Sequence, residues 1–375
     1  MIFNFGEVLT ADSLKSFLFL FKKFMAQFHS LKIKSVIRQT DKAVSITFEV
    51  PTTLKSEYVF TAGQYITLKT VVDAKEIRRD YSLSSSPESE LLTVTVKEIE
   101  NGVFSSYANT QLKTGDTLEV GTPKGRFVYD PENDTSDTIV AFAAGSGITP
   151  IMSIARTVLE AETDCRFVLI YGNKSPKKTI FYDEILKLQS LHSDRFKLQF
   201  VYSETNEEGA LFGRIDSGTT NYFLKNIIEH HEGSKKFYLC GPEGMINSVN
   251  TILSDKGIET SQILFELFTT STTKSTAEGA HDGESSITIL VDEEETTLVM
   301  PQKQTILEAA LANDLDVPYS CQGGVCSSCI CRVTEGSATM RQNSVLTDNE
   351  VAEGLVLSCQ AEPISTSIKV DFDDI

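Results

Sequence analysis

The feature that most constrains the fold is a change of pattern along the chain. Between residues 30 and about 130 the sequence consists of short β-rich runs separated by turns, among them "KAVSITFEV", "QYITLKTVV" and "LLTVTVKEI". Runs at this regular spacing predict an antiparallel barrel. Between 137 and 268, strand-like runs such as "DTIVAFAAG", "RFVLIYGN" and "KKFYLCG" alternate with helical segments. That alternation predicts a parallel sheet with crossover helices.

The two ends of the chain have other patterns. Residues 1–28 form one amphipathic stretch, which predicts a helical extension before the first strand. Residues 269–286 are rich in Ser, Thr and Gly without apolar periodicity, which predicts a flexible linker. After it, "SITILVDEEETTLVM" predicts a hairpin and "TILEAALAND" a helix. We therefore expect five segments, 1–28, 29–133, 134–268, 269–286 and 287–375.

Charge and hydropathy argue against two classes of function. The chain of 375 residues has a formal net charge of −18, whereas nucleic-acid binding needs a basic surface. No apolar run approaches the ~20 residues of a membrane span. The strongest run, "FLFLF" at 17–21, is followed by two lysines and by no small-residue cleavage site. Without an export signal, we expect the protein in the cytoplasm.

The acidic charge is concentrated near the C-terminus. Residues 287–375 carry 15 acidic and 4 basic residues. This excess fits simple solubility, and it equally fits a docking face for a basic patch on a partner protein.

The cysteines are crowded into the same segment. Cys321, Cys326 and Cys329 follow the spacing C-x4-C-x2-C, and Cys359 lies 30 positions further on. Plant-type [2Fe–2S] sites have this spacing with a distant fourth cysteine. A four-thiolate zinc site usually has two C-x2-C pairs, and disulfides are disfavoured in a reducing compartment. We predict an iron–sulfur cluster on these four residues, and expect Cys331 to face the core.

Two turns in the alternating half are typical of nucleotide binding. "AAGSGITP" places Gly145 and Gly147 between a strand and a helix, whose N-terminal N–H groups favour a phosphate. Thr149 is expected to cap this helix and Pro150 to be its first residue. Another strand ends at Cys240 in "CGPEGM", and both turns should face one crevice beyond the strand ends. Taken singly, the turns also fit plain structural punctuation, and Cys240 fits an inert buried thiol.

The barrel half offers groups for a phosphate and a ring. "RRDYSLSSSP" supplies the Arg79 guanidinium for a phosphate, the flat face of Tyr81 and the hydroxyl of Ser82. "ENGVFSSYANTQL" places Ser105 and Ser106 near a helix start, which suits a second phosphate. Each stretch alone also fits an ordinary polar strand edge or helix start.

Together these motifs have the order and spacing of a known family. "RDYS", "GVFSSY", "AAGSGITP" and "CGPEGM" resemble the ferredoxin–NADP reductase superfamily, and "CQGGVCSSC" resembles a plant-type ferredoxin. The resemblance covers roughly residues 29–375. It implies a multi-domain chain with an antiparallel β-barrel flavin domain, an α/β parallel-sheet NAD(P) domain and a C-terminal α+β ferredoxin domain of the β-grasp type.

The resemblance also implies the cofactors FAD, NADPH or NADH, and a [2Fe–2S] cluster. It implies Arg79 on the flavin phosphate, Tyr81 against the isoalloxazine and Ser82 near N5. The pyrophosphate segments that it implies are Gly102, Val103, Phe104, Ser105 and Ser106 for FAD, and Gly145, Ser146, Gly147, Thr149 and Pro150 for NAD(P)H.

At the nicotinamide end, the resemblance implies a turn made by Cys240, Gly241 and Pro242. It places Glu266 near the nicotinamide and Phe268 over the flavin face, although Phe268 fits core packing equally well. The implied catalytic residues are therefore Ser82, Cys240, Glu266 and Phe268.

At the ribose end, the sequence departs from the family pattern. Ser203 is followed by Glu204 where many NADPH users have arginine. A carboxylate repels a 2′-phosphate or accepts a hydrogen bond from a 2′-hydroxyl. Arg214 offers a cation for the phosphate, and the resemblance favours NADPH, with NADH as the alternative.

The function that the resemblance implies is an NAD(P)H-dependent oxidoreductase. It passes electrons from NAD(P)H through FAD and the cluster to an oxygenase. One alternative is a reductase for another hydroxylase, a cytochrome P450 or a hybrid-cluster protein. Another is an electron-transfer subunit of a larger dehydrogenase complex, against which the intact nucleotide turns argue.

Overall fold

The computed structural model describes residues 28–72, 74–161, 163–228, 232–268, 283–291, 293–315 and 317–374. The predicted N-terminal helix lies outside these ranges except for Phe28. That residue begins the first strand rather than ending a helix, because it pairs with Gly121 across the sheet.

The first unit is a curled antiparallel sheet. Its elements are β1 Phe28–Thr40, β2 Ala43–Glu49, β3 Tyr65–Val72, β4 Lys75–Ser82, β5 Leu92–Lys97, α1 Val103–Thr110 and β6 Thr117–Gly121. Their order across the sheet is β4-β3-β6-β1-β2-β5, with antiparallel neighbours. Leu83 bridges to Val94 of β5, so the edge strands meet and the predicted barrel is confirmed.

The middle unit is a parallel sheet with helices on its faces. Its elements are β7 Thr138–Ala144, α2 Ile148–Glu160, β8 Arg166–Asn173, α3 Tyr182–Leu191, β9 Phe196–Tyr202, β10 Leu211–Phe212, α4 Ser217–Phe223, β11 Lys235–Gly241, α5 Glu243–Asp255 and β12 Ile263–Leu267. After α4 the chain continues as a π-helical turn, Leu224–Ile228. Apolar residues cover both faces of the sheet, as parallel sheets require.

The strand order of the middle unit creates a crevice. The order is β10-β9-β8-β7-β11-β12, with parallel neighbours. The chain runs outward from β7 through β8 to β10 and then returns to β11 on the other side of β7. Open α/β sheets bind ligands at such a switch point, beyond the carboxyl ends of the strands.

The third unit is a mixed sheet packed on a helix. Its elements are β13 Glu284–Val291, β14 Glu294–Pro301, α6 Ile306–Ala312, β15 Ile330–Glu335, β16 Ala338–Met340, α7 Asp348–Ala352, β17 Leu355–Leu357, β18 Ala361–Pro363 and β19 Ser367–Asp371. The main sheet has the order β14-β13-β19-β15-β17. The first and last strands of this unit, β13 and β19, pair in parallel in the interior of the sheet. The predicted β-grasp unit is thus confirmed.

Short 3₁₀ helices connect the longer elements at Thr52–Glu57, Pro87–Ser89, Gly145–Gly147, Pro176–Lys178 and Thr260–Gln262. Where the linker was predicted to extend to residue 286, β13 already begins at Glu284. Ser285 is buried and donates to the Ser365 carbonyl, so the polar composition hides a paired strand. Residues 269–282 lie outside the described part of the chain.

Candidate functional site

The flavin motif lies at the end of an edge strand. Arg79 is exposed and donates to the Arg78 carbonyl, while Tyr81 packs against Phe104 with ring centroids 5.4 Å apart. Ser82, the last residue of β4, is buried. The strand therefore presents a guanidinium, a ring and a hydroxyl in succession, as predicted.

The second barrel motif forms a tight turn before α1. Gly102 caps the helix, and a Cβ added there would lie 2.4 Å from both Ile99 Cγ1 and Ser105 Oγ. The Ser105 hydroxyl donates to the Gly102 carbonyl and accepts from the Ile99 N–H. Ser106 donates to the Glu98 carboxylate. Because both hydroxyls serve the turn, the groups that this segment offers to a phosphate are backbone N–H groups.

The two turns of the middle unit touch each other. Gly145 has a positive φ of 56°, and a Cβ added to Gly147 would lie 2.1 Å from the Cys240 carbonyl oxygen. Glycine at 147 is thus required for the turn after β7 to pack on the end of β11. The expectation that both turns border one crevice is confirmed.

The predicted helix cap at Thr149 is wrong. Helix α2 begins at Ile148 with Gly147 at its N-cap, and Pro150 is inside the first turn. The Thr149 hydroxyl donates to the Ser146 carbonyl instead of accepting a backbone hydrogen bond. The 3₁₀ turn at residues 145–147 leads directly into the helix, so the helix begins at Ile148 and not at the predicted Pro150.

A lysine that sequence reasoning missed lies at the same turn. Lys97, at the end of β5, places Nζ 3.2 Å from where a Cβ of Gly145 would be. Burial lowers the Lys97 pKa, and Lys174 and Lys178 lower it further by repulsion. Three lysines therefore surround the approach to the turn, and their separation along the chain concealed this.

Ser82, Cys240 and Glu266 meet where the first two units join. Glu266 of β12 is the register partner of Cys240 on β11, and its Oε2 accepts from Ser82 Oγ at 3.3 Å. Burial raises the pKa of Glu266 to about 8, with a further contribution from the negative charge of Asp80. The Glu266 carboxyl therefore loses its proton at a higher pH than an ordinary glutamate does.

Cys240 is a fully buried thiol in this group. Burial raises its pKa well above the usual value, and the Glu266 carboxylate adds to the rise. A neutral thiol is a weak nucleophile, so Cys240 contributes shape rather than covalent chemistry. Phe268 is half-buried and packs against the core of the middle unit.

The ribose end of the crevice is rich in charge. Glu204 forms ion pairs with Lys174 at 2.9 Å and Lys178 at 3.2 Å, and these two hydrogen-bonding partners lower its pKa. Ser203 donates its N–H to the Asn173 carbonyl, and Arg214 is exposed nearby in sequence on the loop after β10.

Polar atoms without partners mark the strand ends beside Glu204. Asn173 Nδ2, Tyr202 Oη and Thr205 Oγ1 are buried and lack a hydrogen-bond partner within the described residues. Asn173 and Tyr202 are register partners at the carboxyl ends of β8 and β9. Buried polar groups are rarely left unsatisfied without a reason, and a nucleotide in the crevice would supply acceptors and donors.

The four predicted cluster cysteines form two pairs. Cys321 and Cys326 lie close enough to shift each other's pKa, as do Cys329 and Cys359. The Cys326 thiol lowers the pKa of Cys321, and the Gly323 N–H donates to the Cys321 sulfur at 3.4 Å.

Two thiol pairs fit a two-iron cluster, because each tetrahedral iron then binds two bridging sulfides and two cysteines. Cys331 belongs to neither pair and is fully buried on β15, which confirms that it faces the core.

Membrane-spanning character is absent from the described helices, none of which combines the length and the hydropathy that a bilayer span requires.

Comparison with known proteins assigns a family to each unit. Residues 30–129 match the oxidoreductase FAD-binding domain, residues 142–251 the oxidoreductase NAD-binding domain, and residues 289–363 the 2Fe-2S iron-sulfur cluster binding domain.

Several known proteins are similar to this chain over almost its whole length. A component of 1,2-phenylacetyl-CoA epoxidase from Escherichia coli (strain K12) is 38% identical, over 93% of this chain and 99% of that protein. The ferredoxin reductase component of 3-ketosteroid-9-alpha-monooxygenase from Rhodococcus rhodochrous is 33% identical, over 91% and 96%. The solved structure of phthalate dioxygenase reductase shares the fold, with a TM-score of 0.59 at 24% identity, over 92% and 98%.

The relative from Rhodococcus rhodochrous is named as a ferredoxin reductase component, and this chain has the domain for each cofactor. It is an NAD(P)H-dependent oxidoreductase with domains for FAD and for a [2Fe–2S] cluster. The chain belongs to the ferredoxin–NADP reductase superfamily, among the members that carry a C-terminal plant-type ferredoxin domain.

Proposed function

We propose that the crevice between the first two units is the site of hydride transfer. The observation that carries this assignment is the hydrogen bond from Ser82 to Glu266, because it joins the flavin strand β4 to the strand beside Cys240. When bound, FAD accepts the two electrons of a hydride from NAD(P)H and releases them singly to the [2Fe–2S] cluster.

The barrel residues hold the flavin. Arg79 binds the flavin phosphate with its exposed guanidinium, and Tyr81 lies against the isoalloxazine, supported from behind by Phe104. Ser82 lies near N5. The pyrophosphate is bound by the N-terminal turn of α1, Gly102–Ser106, whose serine hydroxyls are already used within the turn.

The middle unit holds the dinucleotide. Its pyrophosphate is bound by the turn at residues 145–150, and Lys97 supplies the positive charge beside Gly145. Cys240, Gly241 and Pro242 would border the nicotinamide when it is bound. Phe268 would cover the flavin face when no nicotinamide is present.

Glu266 holds a proton next to the reacting atoms. With a pKa of about 8, the carboxyl is neutral at pH 7, and Ser82 donates to its Oε2. A neutral carboxyl does not oppose the negative charge that a hydride brings, and it keeps a proton available through Ser82. This role requires burial, which the closure of the two units provides.

NADPH is the proposed donor. Lys174 and Lys178 neutralise Glu204, so the carboxylate that would repel a 2′-phosphate is already paired. Ser203 and Arg214 complete the proposed phosphate site, in which Arg214 provides the bidentate contact.

The third unit delivers the electrons. Cys321, Cys326, Cys329 and Cys359 ligate the cluster as two pairs, and the acidic surface of this unit docks on the oxygenase. We further propose functional segments at 29–133, 134–268 and 287–375, an oxygenase of the phenylacetyl-CoA epoxidase type as the acceptor, and a cytoplasmic location. The match to the epoxidase component over 99% of its length supports this acceptor.

Reconstitution tests the proposal. The purified chain, loaded with FAD and cluster, should oxidise NADPH with ferricyanide and should sustain epoxidation by the phenylacetyl-CoA epoxidase oxygenase subunits. It should sustain 3-ketosteroid hydroxylation much less well. Absence of NAD(P)H oxidation by the flavin-loaded chain would overturn the hydride-transfer site. Equal support of both oxygenases would overturn the acceptor assignment.

A further inference from the structure

Asp80 lies on strand β4 between Arg79 and Tyr81, and the proposed hydride transfer assigns it no role. Side chains alternate along a strand, so Asp80 shares its face with Ser82 and points away from the face that carries Arg79 and Tyr81. Its Oδ1 accepts from Thr67 Oγ1 at 2.6 Å, and Thr67 is its register partner on β3. The Asp80 carboxylate is therefore fixed by the barrel itself.

The other oxygen of Asp80 reaches the iron–sulfur loop. Its Oδ2 accepts from Ser328 Oγ at 3.0 Å. The hydroxyl of Tyr65 lies 3.1 Å from Ser327 Oγ and 3.0 Å from Ser328 Oγ. Tyr65 is the register partner of Ser82, two positions along the strand from Asp80. Neighbouring residues of the flavin sheet thus hold two consecutive serines of the third unit.

The two serines occupy a decisive position. Ser327 and Ser328 are the residues between Cys326 and Cys329. A hydrogen bond to either serine fixes the peptide segment that carries two of the four cluster ligands. On the barrel side, the residue after Asp80 is Tyr81, which belongs to the flavin motif. The hydrogen bonds of Asp80 and Tyr65 to the two serines therefore join the proposed flavin site to the proposed cluster site over a short stretch of chain.

The surrounding interface combines polar and apolar groups. A small cavity there is lined by both kinds of side chain, among them Phe28, Thr67 and Arg78 of the barrel and Tyr319 and Ser328 of the third unit. The Arg78 guanidinium lies 4.8 Å from the centroid of the Tyr319 ring. Buried polar networks contribute little net stability but impose one geometry, and electron transfer needs a fixed geometry.

We propose that Asp80 and Tyr65 are positioning residues that clamp the cluster-binding loop against the flavin strand. The clamp sets the rate of the one-electron step from the reduced flavin to the cluster, in which each electron lost by the flavin is gained by the cluster. This inference rests on the proposed flavin site on β4. The residues of the clamp are Tyr65, Asp80, Ser327 and Ser328.

Anaerobic stopped-flow kinetics with NADPH tests the clamp in the fully loaded protein. Ser328→Ala and Asp80→Asn should slow flavin-to-cluster transfer about tenfold or more, because small misplacement of reacting groups costs rate steeply. Flavin reduction should stay within about twofold of wild type in Ser328→Ala, whereas Asp80→Asn also removes a negative charge that acts on Glu266. Ser328→Thr, which keeps the hydroxyl, should recover most of the rate.

A matched control uses another polar contact between the same two units. Arg126 and Glu350 form an ion pair at the exposed rim, and Glu350→Gln should change the transfer rate by less than about twofold, because exposed pairs contribute little. Iron content and the electron paramagnetic resonance spectrum should be the same in all variants. Hydrogen exchange of residues 326–329 should rise in Ser328→Ala and not in Glu350→Gln.

The outcomes separate the clamp from the flavin site. If wild type binds no flavin, or NADPH does not reduce it, the proposed function fails. If flavin reduction is normal and Ser328→Ala leaves both the transfer rate and the exchange of residues 326–329 unchanged, the clamp alone is refuted. Should Asp80→Asn fold poorly, Ser328→Ala and Tyr65→Phe decide the question by the same two measurements.

Discussion

Strand β4 makes polar contacts with the middle unit through Ser82 and with the third unit through Asp80. On the nicotinamide side, defined by Ser82, Cys240 and Glu266, one hydroxyl reaches a buried carboxyl. On the iron–sulfur side, the clamp residue Asp80 accepts from two hydroxyls. Burial raises the pKa of both carboxyls, but more donors oppose the rise at Asp80, whereas Glu266 reaches about 8. More hydrogen-bond donors therefore act on the Asp80 carboxyl than on the Glu266 carboxyl.

We expect the largest effect from Cys329→Ser, which should abolish electron transfer through the iron–sulfur cluster. Cys329→Ser removes a proposed cluster ligand, so electron delivery to cytochrome c should fall to background while ferricyanide reduction by NADPH continues. The two acceptors differ because ferricyanide accepts electrons directly from the flavin. Survival of cytochrome c reduction at the wild-type rate would show that the cluster is not on the path.

Ser82→Ala should instead slow the reduction of the flavin by the dinucleotide. Loss of the hydroxyl that lies between the flavin site and Glu266 should slow flavin reduction by about a hundredfold, the scale for removing one preorganised donor. The control is Ser84→Ala, since Ser84 is fully buried two residues later and bonds to the Thr93 carbonyl. Stopped-flow absorbance of the flavin provides the rates, and equal rates for the two variants would contradict a special role for Ser82.

Glu266→Gln should remove a pH dependence. In wild type, the rate of flavin reduction should change with an apparent pKa of about 8, and in the variant this inflection should be lost between pH 6 and 9.5. An inflection that persists unchanged in the variant would assign the titration to another group.

The Glu266 carboxyl should also make the free energy of unfolding depend on pH, and its raised pKa determines the direction of that dependence. The folded-state pKa of about 8 exceeds the ordinary value of 4.5. Between those pH values the unfolded chain loses a proton that the folded chain keeps, so this group lowers the free energy of unfolding as pH rises. Denaturant titrations from pH 5 to 8 should therefore give a shallower pH dependence for Glu266→Gln than for wild type.

A smaller effect concerns the choice of dinucleotide. Glu204→Gln removes the negative charge that Lys174 and Lys178 now balance, so the ratio of kcat/KM for NADPH to that for NADH should rise about fivefold, typical of one exposed charge. Arg214→Ala should lower the ratio. Opposite changes in these two steady-state ratios would reverse the assignment of NADPH.

The smallest effect should come from the cysteine that belongs to neither pair. Cys331→Ala should leave the iron content and the cluster spectrum unchanged and should lower the free energy of unfolding by about 1 kcal/mol, as for a small core truncation. Loss of the cluster signal in this variant would place Cys331 among the ligands.

The parts of the fold that could be predicted were those governed by local periodicity. The alternating runs of β7, β8 and β11 and the hairpin of β13 and β14 are visible in the sequence because burial imposes a period on neighbouring residues. The Thr149 cap was wrong because a 3₁₀ turn precedes the helix, and no local pattern distinguishes that turn from a loop.

The site was predicted where motifs are contiguous and missed where contacts are distant in sequence. Lys97 precedes Gly145 by dozens of residues, and Asp80 precedes Ser328 by 248. The sequence of a strand does not indicate which other unit of the protein will pack against it. The only available signals were an aspartate inside "RDYS" and two adjacent serines between cluster cysteines.

The most direct test measures, as a function of time, the transfer of electrons from the reduced flavin to the [2Fe–2S] cluster. Wild-type protein is mixed anaerobically with one equivalent of NADPH, the flavin is followed by absorbance, and the cluster is followed by rapid-freeze electron paramagnetic resonance. The account predicts that flavin absorbance falls first and that a [2Fe–2S] signal then appears in the same molecules. Flavin reduction without any cluster signal, in protein whose cluster dithionite reduces fully, would contradict it.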